Sequence, residues 1–205
     1  MENTKTRRLV QLSLLLAIEA IFCFTPLGSL PIGPMVATLA HVPVILAAIL
    51  LGTGTGAIVG FSAGLFSFIV WTFMPPNPLL AFVFTPAYKP GNVLSLVICF
   101  VPRILIGVFA GLCYKGLSRI DKKGYFACIA AAVAGTLANT LFVLFGIYTF
   151  FGEQYAQAIG VAGSALLGLI GTTIATNGIL EVVIAVIVAL GIAKILPTMR
   201  RTLKP

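Results

Sequence analysis

The stretch VLSLVICFVPRILIGVFAGLCY, residues Val93–Tyr114, has one charged side chain, Arg103, and is otherwise almost entirely apolar. A helix of about 20 apolar residues crosses the hydrocarbon core of a bilayer, so this stretch predicts a transmembrane span. Five further runs of this kind flank it, and the six lie at residues 9–26, 36–51, 57–73, 93–114, 125–150 and 172–196. The sequence therefore predicts an all-α membrane protein, a six-transmembrane-helix bundle forming a single domain of residues 1–205.

The composition excludes a water-soluble protein. Of the 205 residues, 60% are hydrophobic and 9% are charged, whereas a soluble domain has about a quarter of its residues charged. The six spans leave no room for an ATPase domain. The four cysteines form no CxxC pair and are predicted to be packing residues, with neither a disulfide nor a metal site. His41 has no second ligand at metal-binding spacing, so we expect a packed, hydrogen-bonded histidine.

The connections between the spans differ in character. Residues 27–34 and the glycine-rich Gly52–Gly56 are predicted to be turns, because glycine and proline interrupt the apolar pattern there. Residues 74–92 contain five prolines, which exclude a continuous helix. Residues 151–171 are apolar enough for a partial helix, and the sequence leaves open whether they form a helix or a loop.

The basic residues predict the orientation. The chain has 13 Lys and Arg against 5 Asp and Glu. Three basic residues lie in the leader, four in the loop 115–123 and four in the tail from Lys194, while Lys89 stands alone on the other side. Basic loops stay in the cytoplasm. We therefore expect a multi-pass protein of the cell membrane with both termini cytoplasmic.

Polar residues inside the spans are the candidate binding residues, because an ionisable group within a membrane marks a functional site by default. The candidates for substrate binding are Arg103, Asn139, Asn177 and Glu181. Asn177 lies four residues before Glu181, on the same helical face. Arg103 suits a ligand carboxylate, since its guanidinium binds bidentately. An internal salt bridge of Arg103 with Glu19 or Glu181 is the alternative.

Aromatic residues surround the proline-rich segment 74–92. Trp71 is the further candidate for substrate binding, and Phe73, Phe82, Phe84 and Tyr88 accompany it. This cluster fits either an interfacial aromatic belt or a lid over an outward-facing pocket. Small residues recur every four positions, at Gly56, Gly60 and Gly64, at Gly107 and Gly111, and at Ser13 and Ala17. Such faces let helices approach closely or dock a partner.

The chain resembles the substrate-binding S components of energy-coupling factor (ECF) vitamin transporters, most closely those of the pantothenate type. The residues that carry the resemblance are 38–52, the turn 52–56, and 91–107. The resemblance implies a transmembrane coupling subunit and two ATP-binding subunits as partners. It also implies docking through a small-residue face of the first helix, here Ser13 and Ala17, and release of substrate by toppling of the protein in the membrane.

We expect a small vitamin with a carboxylate as the ligand, pantothenate first, and neither a cofactor nor a catalytic site. Folate, riboflavin, cobalamin or a queuosine precursor are alternatives within the family, and a cation such as thiamine would use Glu181 and the aromatic residues. A stand-alone secondary carrier is less attractive, because no inverted repeat is evident. An intramembrane enzyme is disfavoured because the sole histidine and Glu181 lie on different spans.

Overall fold

The computed structural model describes residues 2–32, 35–121 and 123–202. Lys122 of the basic loop, Lys204 of the tail, and Gly33 and Pro34 of the first predicted turn lie outside the described residues. Within the described ranges, the helices are α1 (Glu2–Phe24), α2 (His41–Leu51), α3 (Thr53–Phe73), α4 (Val93–Leu117), α5 (Tyr125–Ala158), α6 (Leu166–Thr173) and α7 (Ile179–Thr202). Short 3₁₀ turns cover Pro26–Gly28, Pro78–Val83 and Gly163–Ala165, and a π-helical turn, Ile174–Gly178, joins α6 to α7.

A two-stranded antiparallel hairpin departs from the all-α prediction. Strand β1 (Ser29–Ile32) pairs with β2 (Met35–Thr38), with Ser29 opposite Thr38. The second predicted span, 36–51, is wrong in its first part, because the chain is a strand to Thr38 and α2 begins only at His41. Eleven residues of helix rise about 16 Å, which is roughly half of a bilayer core.

Four helical segments of the described chain are long and apolar enough to cross a membrane: Thr53–Phe73, Val93–Leu117, Tyr125–Ala158 and Gly163–Lys194. Helix α1 has the length, but every 18-residue window of it includes Arg7, Arg8 and Glu19. The open question about residues 151–171 has a mixed answer: α5 continues to Ala158 through a kink at Phe151, and helix resumes at Gly163.

Helices α3 and α4 pack with their backbones in contact through glycine. A Cβ built on Gly60 would lie 2.9 Å from the Arg103 carbonyl carbon and closer still to its oxygen. A Cβ on Gly107 would overlap the backbone of Gly56, and one on Gly111 would lie 2.6 Å from the Thr53 Cα. The glycine ribbons of these two helices are therefore internal packing surfaces, as small residues in membrane helices often are.

Three basic segments lie at the same end of the bundle. Arg8, near the start of α1, donates hydrogen bonds to the Leu51 carbonyl oxygen (3.0 Å) and the Thr55 hydroxyl (3.2 Å) at the α2–α3 junction. The end of α4, the start of α5 and Ala193 of α7 pack into one core beside this junction. Gly52, with φ of 96°, makes the one-residue turn there, and glycine is required for that conformation.

A second core lies toward the opposite end. It joins the Pro78–Val83 turn to α4, the kinked part of α5 and α6, and Phe82 packs edge-on against Phe151 at 5.6 Å between ring centroids. Asn92 and Ser95 cap α4 reciprocally, and the Ser95 hydroxyl also donates to the Phe82 carbonyl oxygen at 2.6 Å. These bonds fix the proline-rich segment on the bundle as part of the second core.

Candidate functional site

A cavity of about 220 Å³ lies between the two cores. All seven helices contribute to its wall, α6 through Thr173, and all five residues predicted to bind substrate line it: Trp71, Arg103, Asn139, Asn177 and Glu181. The fold therefore brings together side chains that are as much as 110 positions apart in the sequence. Their role in binding a substrate stays a prediction.

Arg103 is positioned by the proline before it. Pro102 lacks an N–H, so the Ile98 carbonyl one turn earlier has no helical donor. The Arg103 guanidinium donates to that oxygen instead, at 3.1 Å. This bond turns the side chain toward the start of α4 and uses one of its N–H groups, and Arg103 lines the cavity, where it can meet an anionic ligand.

An aromatic stack completes the Arg103 side of the cavity. The guanidinium carbon lies 5.2 Å from the centroid of the Phe84 ring, a cation–π distance. Phe84 in turn packs on Trp71 with 4.7 Å between ring centroids. The predicted aromatic cluster is thus divided: Trp71 and Phe84 line the cavity, Phe82 lies in the second core, and Phe73 is 74% exposed.

The proline-rich segment 74–92 covers this side of the cavity. Pro76, Asn77, Leu80 and Phe84 belong to the cavity wall. The Thr72 and Thr85 hydroxyls share a hydrogen bond of 2.8 Å, and the Tyr88 hydroxyl donates to the Thr72 carbonyl oxygen at 3.3 Å. The segment is therefore attached to the end of α3 at several points, which is the arrangement that a lid would have.

Glu181 links three elements. One carboxylate oxygen accepts from the Thr38 backbone N–H (2.7 Å) and the Thr38 hydroxyl (3.3 Å). The other accepts from the Thr140 hydroxyl at 3.1 Å. The carboxylate thus fastens the last residue of the hairpin to α5 and α7. Neither threonine was a candidate in the sequence, because nothing local marks them as its partners.

Two asparagines add amide groups to the wall opposite the aromatic stack. Asn139 is 7% and Asn177 5% exposed. Asn177 lies in the π-helical turn and accepts a long hydrogen bond from Thr176 at 3.4 Å. Single π-helical turns within helices are often found at functional sites. Asn177 and Glu181, predicted to share a face, both line the cavity.

Two further polar residues of the wall, Glu19 and His41, were not predicted as binding residues. Glu19 is fully buried; one carboxyl oxygen accepts from the Cys23 thiol at 3.3 Å and the other has no partner. His41 is 3% exposed, and neither ring nitrogen makes a hydrogen bond of good geometry, although the Thr38 backbone approaches the ring. His41 is therefore packed, as expected, while the expected hydrogen bond is limited to this approach of the Thr38 backbone. The signal in the sequence that could have singled out His41 is Pro43, two residues later, which indicates that a helix begins there.

No carboxylate of the described chain forms an ion pair with Arg103. The guanidinium interacts electrostatically with Glu19 and Glu181, but its polar contact is the Ile98 carbonyl. Within the described residues, Arg103 therefore does not form the alternative internal salt bridge with Glu19 or Glu181. The same part of the chain contains no group of three His, Cys, Asp or Glu residues that could hold a metal ion.

The predicted docking residues lie away from the cavity. Ser13 and Ala17 are exposed on α1. Large apolar side chains share this outer surface of the helix, with Leu9 62%, Leu14 61% and Ile21 53% exposed. Because the two small residues form a shallow depression among larger ones, another helix could approach α1 closely there.

Comparisons with known proteins agree with one another. Residues 7–193 match the model of the family described as "ECF transporter, substrate-specific component". The pantothenic acid transporter PanT of Lactococcus lactis subsp. cremoris (strain MG1363) is 36% identical over 170 residues, covering 82% of this chain and 81% of that protein. The pantothenate transporter PanT of Leuconostoc mesenteroides subsp. mesenteroides is 27% identical over 205 residues, covering 96% and 95% of the two chains.

Proposed function

The chain belongs to the family of substrate-specific components of ECF transporters, and we propose that it is the subunit that binds pantothenate for uptake into the cell. It is a multi-pass protein of the cell membrane and a transporter component, not an enzyme. The names of the two relatives support pantothenate over the other vitamins. The observation that carries the proposal is the position of Arg103 on the wall of a buried cavity, unpaired with any carboxylate of the described chain.

In this proposal the ligand carboxylate binds the Arg103 guanidinium. An unpaired cation inside a membrane protein is costly, and a ligand anion offsets that cost when it binds. Trp71 and Phe84 hold the guanidinium in place from one side. Asn139 and Asn177 are placed to bind the amide of pantothenate, since a carboxamide both donates and accepts hydrogen bonds. Glu181 keeps the hairpin closed on the cavity.

The energy for uptake comes from partner subunits, a transmembrane coupling protein and two ATP-binding proteins. The family and the absence of an ATP-binding motif in the sequence support this part of the proposal. The exposed Ser13 and Ala17 on α1 form the docking face. After docking, the protein topples in the membrane and releases the ligand on the cytoplasmic side.

The proposed topology has six membrane-embedded helical segments and both termini in the cytoplasm, within a single domain of residues 1–205. Its support is the gathering of the basic leader, the 115–123 loop and the end of α7 at one end of the bundle. Basic segments remain on the cytoplasmic side. In this orientation the proline-rich segment and the hairpin lie at the outer face, where the substrate enters.

The decisive experiment measures pantothenate affinity by isothermal titration calorimetry on the purified, detergent-solubilised protein. Arg103→Gln should weaken binding by about 2–5 kcal/mol, at least about 30-fold in Kd, because it removes the charge opposite the ligand carboxylate. Pantothenol, in which a hydroxymethyl group replaces the carboxylate, should bind the wild-type protein weakly. The affinity for pantothenol should fall little further in Arg103→Gln.

Arg8→Gln is the matched control, since Arg8 also donates side-chain hydrogen bonds but lies at the other end of the bundle. It should leave pantothenate binding unchanged. Wild-type affinity in Arg103→Gln, or equally tight binding of pantothenol and pantothenate, would refute the assignment. In proteoliposomes, uptake should require the coupling and ATP-binding subunits with ATP. Uptake by this chain alone would identify a stand-alone carrier instead.

A further inference from the structure

Two buried polar side chains of the cavity wall have atoms without a hydrogen bond of good geometry. These atoms are one carboxyl oxygen of Glu19 and the two ring nitrogens of His41, although Glu19 is fully buried and His41 is 3% exposed. The Thr38 backbone approaches the His41 ring. Buried polar groups in proteins nearly always have a partner, so each exception requires an explanation. Both residues line the same cavity as Arg103.

The two other charged groups of the cavity each have a partner and a role. Arg103 donates to the Ile98 carbonyl oxygen and keeps its other donors for the ligand carboxylate. Both oxygens of Glu181 accept from Thr38 or Thr140, whereas Glu19 receives a single thiol donor from Cys23, one helical turn away. Among the fully buried side-chain atoms of the wall, those without a partner of good geometry therefore belong to Glu19 on α1 and to His41, the first residue of α2.

We propose that Glu19 and His41 form a subsite that hydrogen-bonds the hydroxyl groups of the ligand. A hydroxyl both donates and accepts, so it complements a carboxyl oxygen and an imidazole nitrogen in any of their protonation states. A second carboxylate would face the Glu19 carboxyl group, and an ammonium group would face the nearby Arg103 charge. A neutral group that donates and accepts fits both neighbours.

This subsite rests on the proposed function and extends it. With the carboxylate of pantothenate at Arg103, its two hydroxyl groups lie at the opposite end of the molecule and need a second polar site. Arg103 interacts electrostatically with both Glu19 and His41, so the two sites belong to one cavity. Discrimination between hydroxylated and plain N-acyl-β-alanines is then a property of α1 and the start of α2.

The test compares two ligands by calorimetry: pantothenate and its dideoxy analogue, the N-acyl-β-alanine with both hydroxyl groups replaced by hydrogen. Glu19→Leu, which removes both carboxyl oxygens, should weaken pantothenate binding roughly 10- to 100-fold, the range for a hydrogen bond to an ionisable group. It should leave the weaker binding of the analogue unchanged. Arg103→Gln, in contrast, should weaken both ligands by the same factor.

His41→Phe is the second variant, because it keeps a ring and removes both nitrogens. It should show the same pattern, and it replaces Glu19→Leu if that variant does not yield a monodisperse protein. Thr136→Val is the control, because the Thr136 hydroxyl is also buried and unpartnered but is not part of the cavity wall. It should alter neither affinity. Equal losses for both ligands in Glu19→Leu and His41→Phe, or no loss, would overturn the subsite alone. Failure of pantothenate to bind the wild-type protein would refute the proposed function and the subsite with it.

Discussion

Replacing Gly60 by Ala tests whether the close contact of α3 and α4 sets the position of Arg103. The added Cβ would lie 2.9 Å from the Arg103 carbonyl carbon and closer to its oxygen, whereas carbon atoms in contact prefer about 3.5–4.0 Å. Because the obstacle is backbone and cannot rotate away, α3 must withdraw from α4 by roughly 1 Å. Overpacking of this kind costs about 1–3 kcal/mol.

The assay is thermal unfolding of the detergent-solubilised protein, followed by calorimetric titration with pantothenate. We expect Gly60→Ala to lower the Tm by roughly 2–12 °C and to weaken pantothenate binding, because the shift displaces the guanidinium from Phe84. Gly54→Ala is the matched control on the same helix, since a Cβ there meets nothing within 4 Å. It should be neutral or slightly stabilising. A Tm for Gly60→Ala equal to that of Gly54→Ala would refute the reasoning.

Two further predictions concern opposite ends of the bundle. Phe84→Leu removes the ring beneath Arg103 and should weaken pantothenate binding, measured by calorimetry, roughly 2- to 30-fold, the range for a cation–π contact. Phe84→Tyr keeps the ring and should bind pantothenate with wild-type affinity. Wild-type affinity in Phe84→Leu would contradict the proposed role of the ring. The Asp121 carboxylate accepts from the backbone N–H groups of Ala127, Gly124 and Lys123, which hold its pKa below the ordinary value of 3.8. Its stabilising effect is therefore present above that value and lost as the pH falls through the lowered pKa. Asp121→Ala should lower the Tm near neutral pH, and the difference from wild type should vanish in acid; a pH-independent difference would contradict this.

Hydrophobicity was sufficient to place the long helices. The spans predicted over 57–73, 93–114 and 125–150 lie within α3, α4 and α5, because a continuous apolar run of this length has no stable alternative in a bilayer. The ends of these helices were harder to predict from the sequence. Helix α5 runs eight residues beyond its predicted end, past the kink at Phe151. Apolar residues continue there, and the helix stops only before Gly160, whose φ of 70° is the left-handed conformation that ends many helices.

The hairpin and the short α2 could not be separated from a single span by composition. An apolar run of strand followed by helix has the same hydropathy as one helix. Pro43 was the local signal, because proline is tolerated in the first turn of a helix, where the N–H groups lack helical acceptors, and disfavoured further in. That position marks a helix start near His41. The pairing of β1 with β2 depends on contacts that no local pattern reveals.

The residues of the candidate site could be predicted from the sequence because polar residues are rare within membrane spans. Arg103, Asn139, Asn177 and Glu181 stood out against apolar surroundings, and all line the cavity. Their hydrogen-bond partners could not be predicted, because a partner can be far away in the sequence: Glu181 accepts from Thr38, 143 positions earlier. Glu19 was noted as a possible salt-bridge partner of Arg103, whereas in the structure one carboxyl oxygen accepts from a thiol and the other is buried without a partner.

The bond between Arg103 and the Ile98 carbonyl makes positions 102 and 103 interdependent in evolution. Pro102 creates the vacant carbonyl and Arg103 fills it. A descendant that loses the arginine alone, on the way to recognising a neutral ligand, would also bury an unsatisfied backbone oxygen. Loss of the proline first restores the helical hydrogen bond and frees the arginine to change. A shift in ligand charge along this lineage therefore has a preferred order of substitutions, with the proline replaced before the arginine.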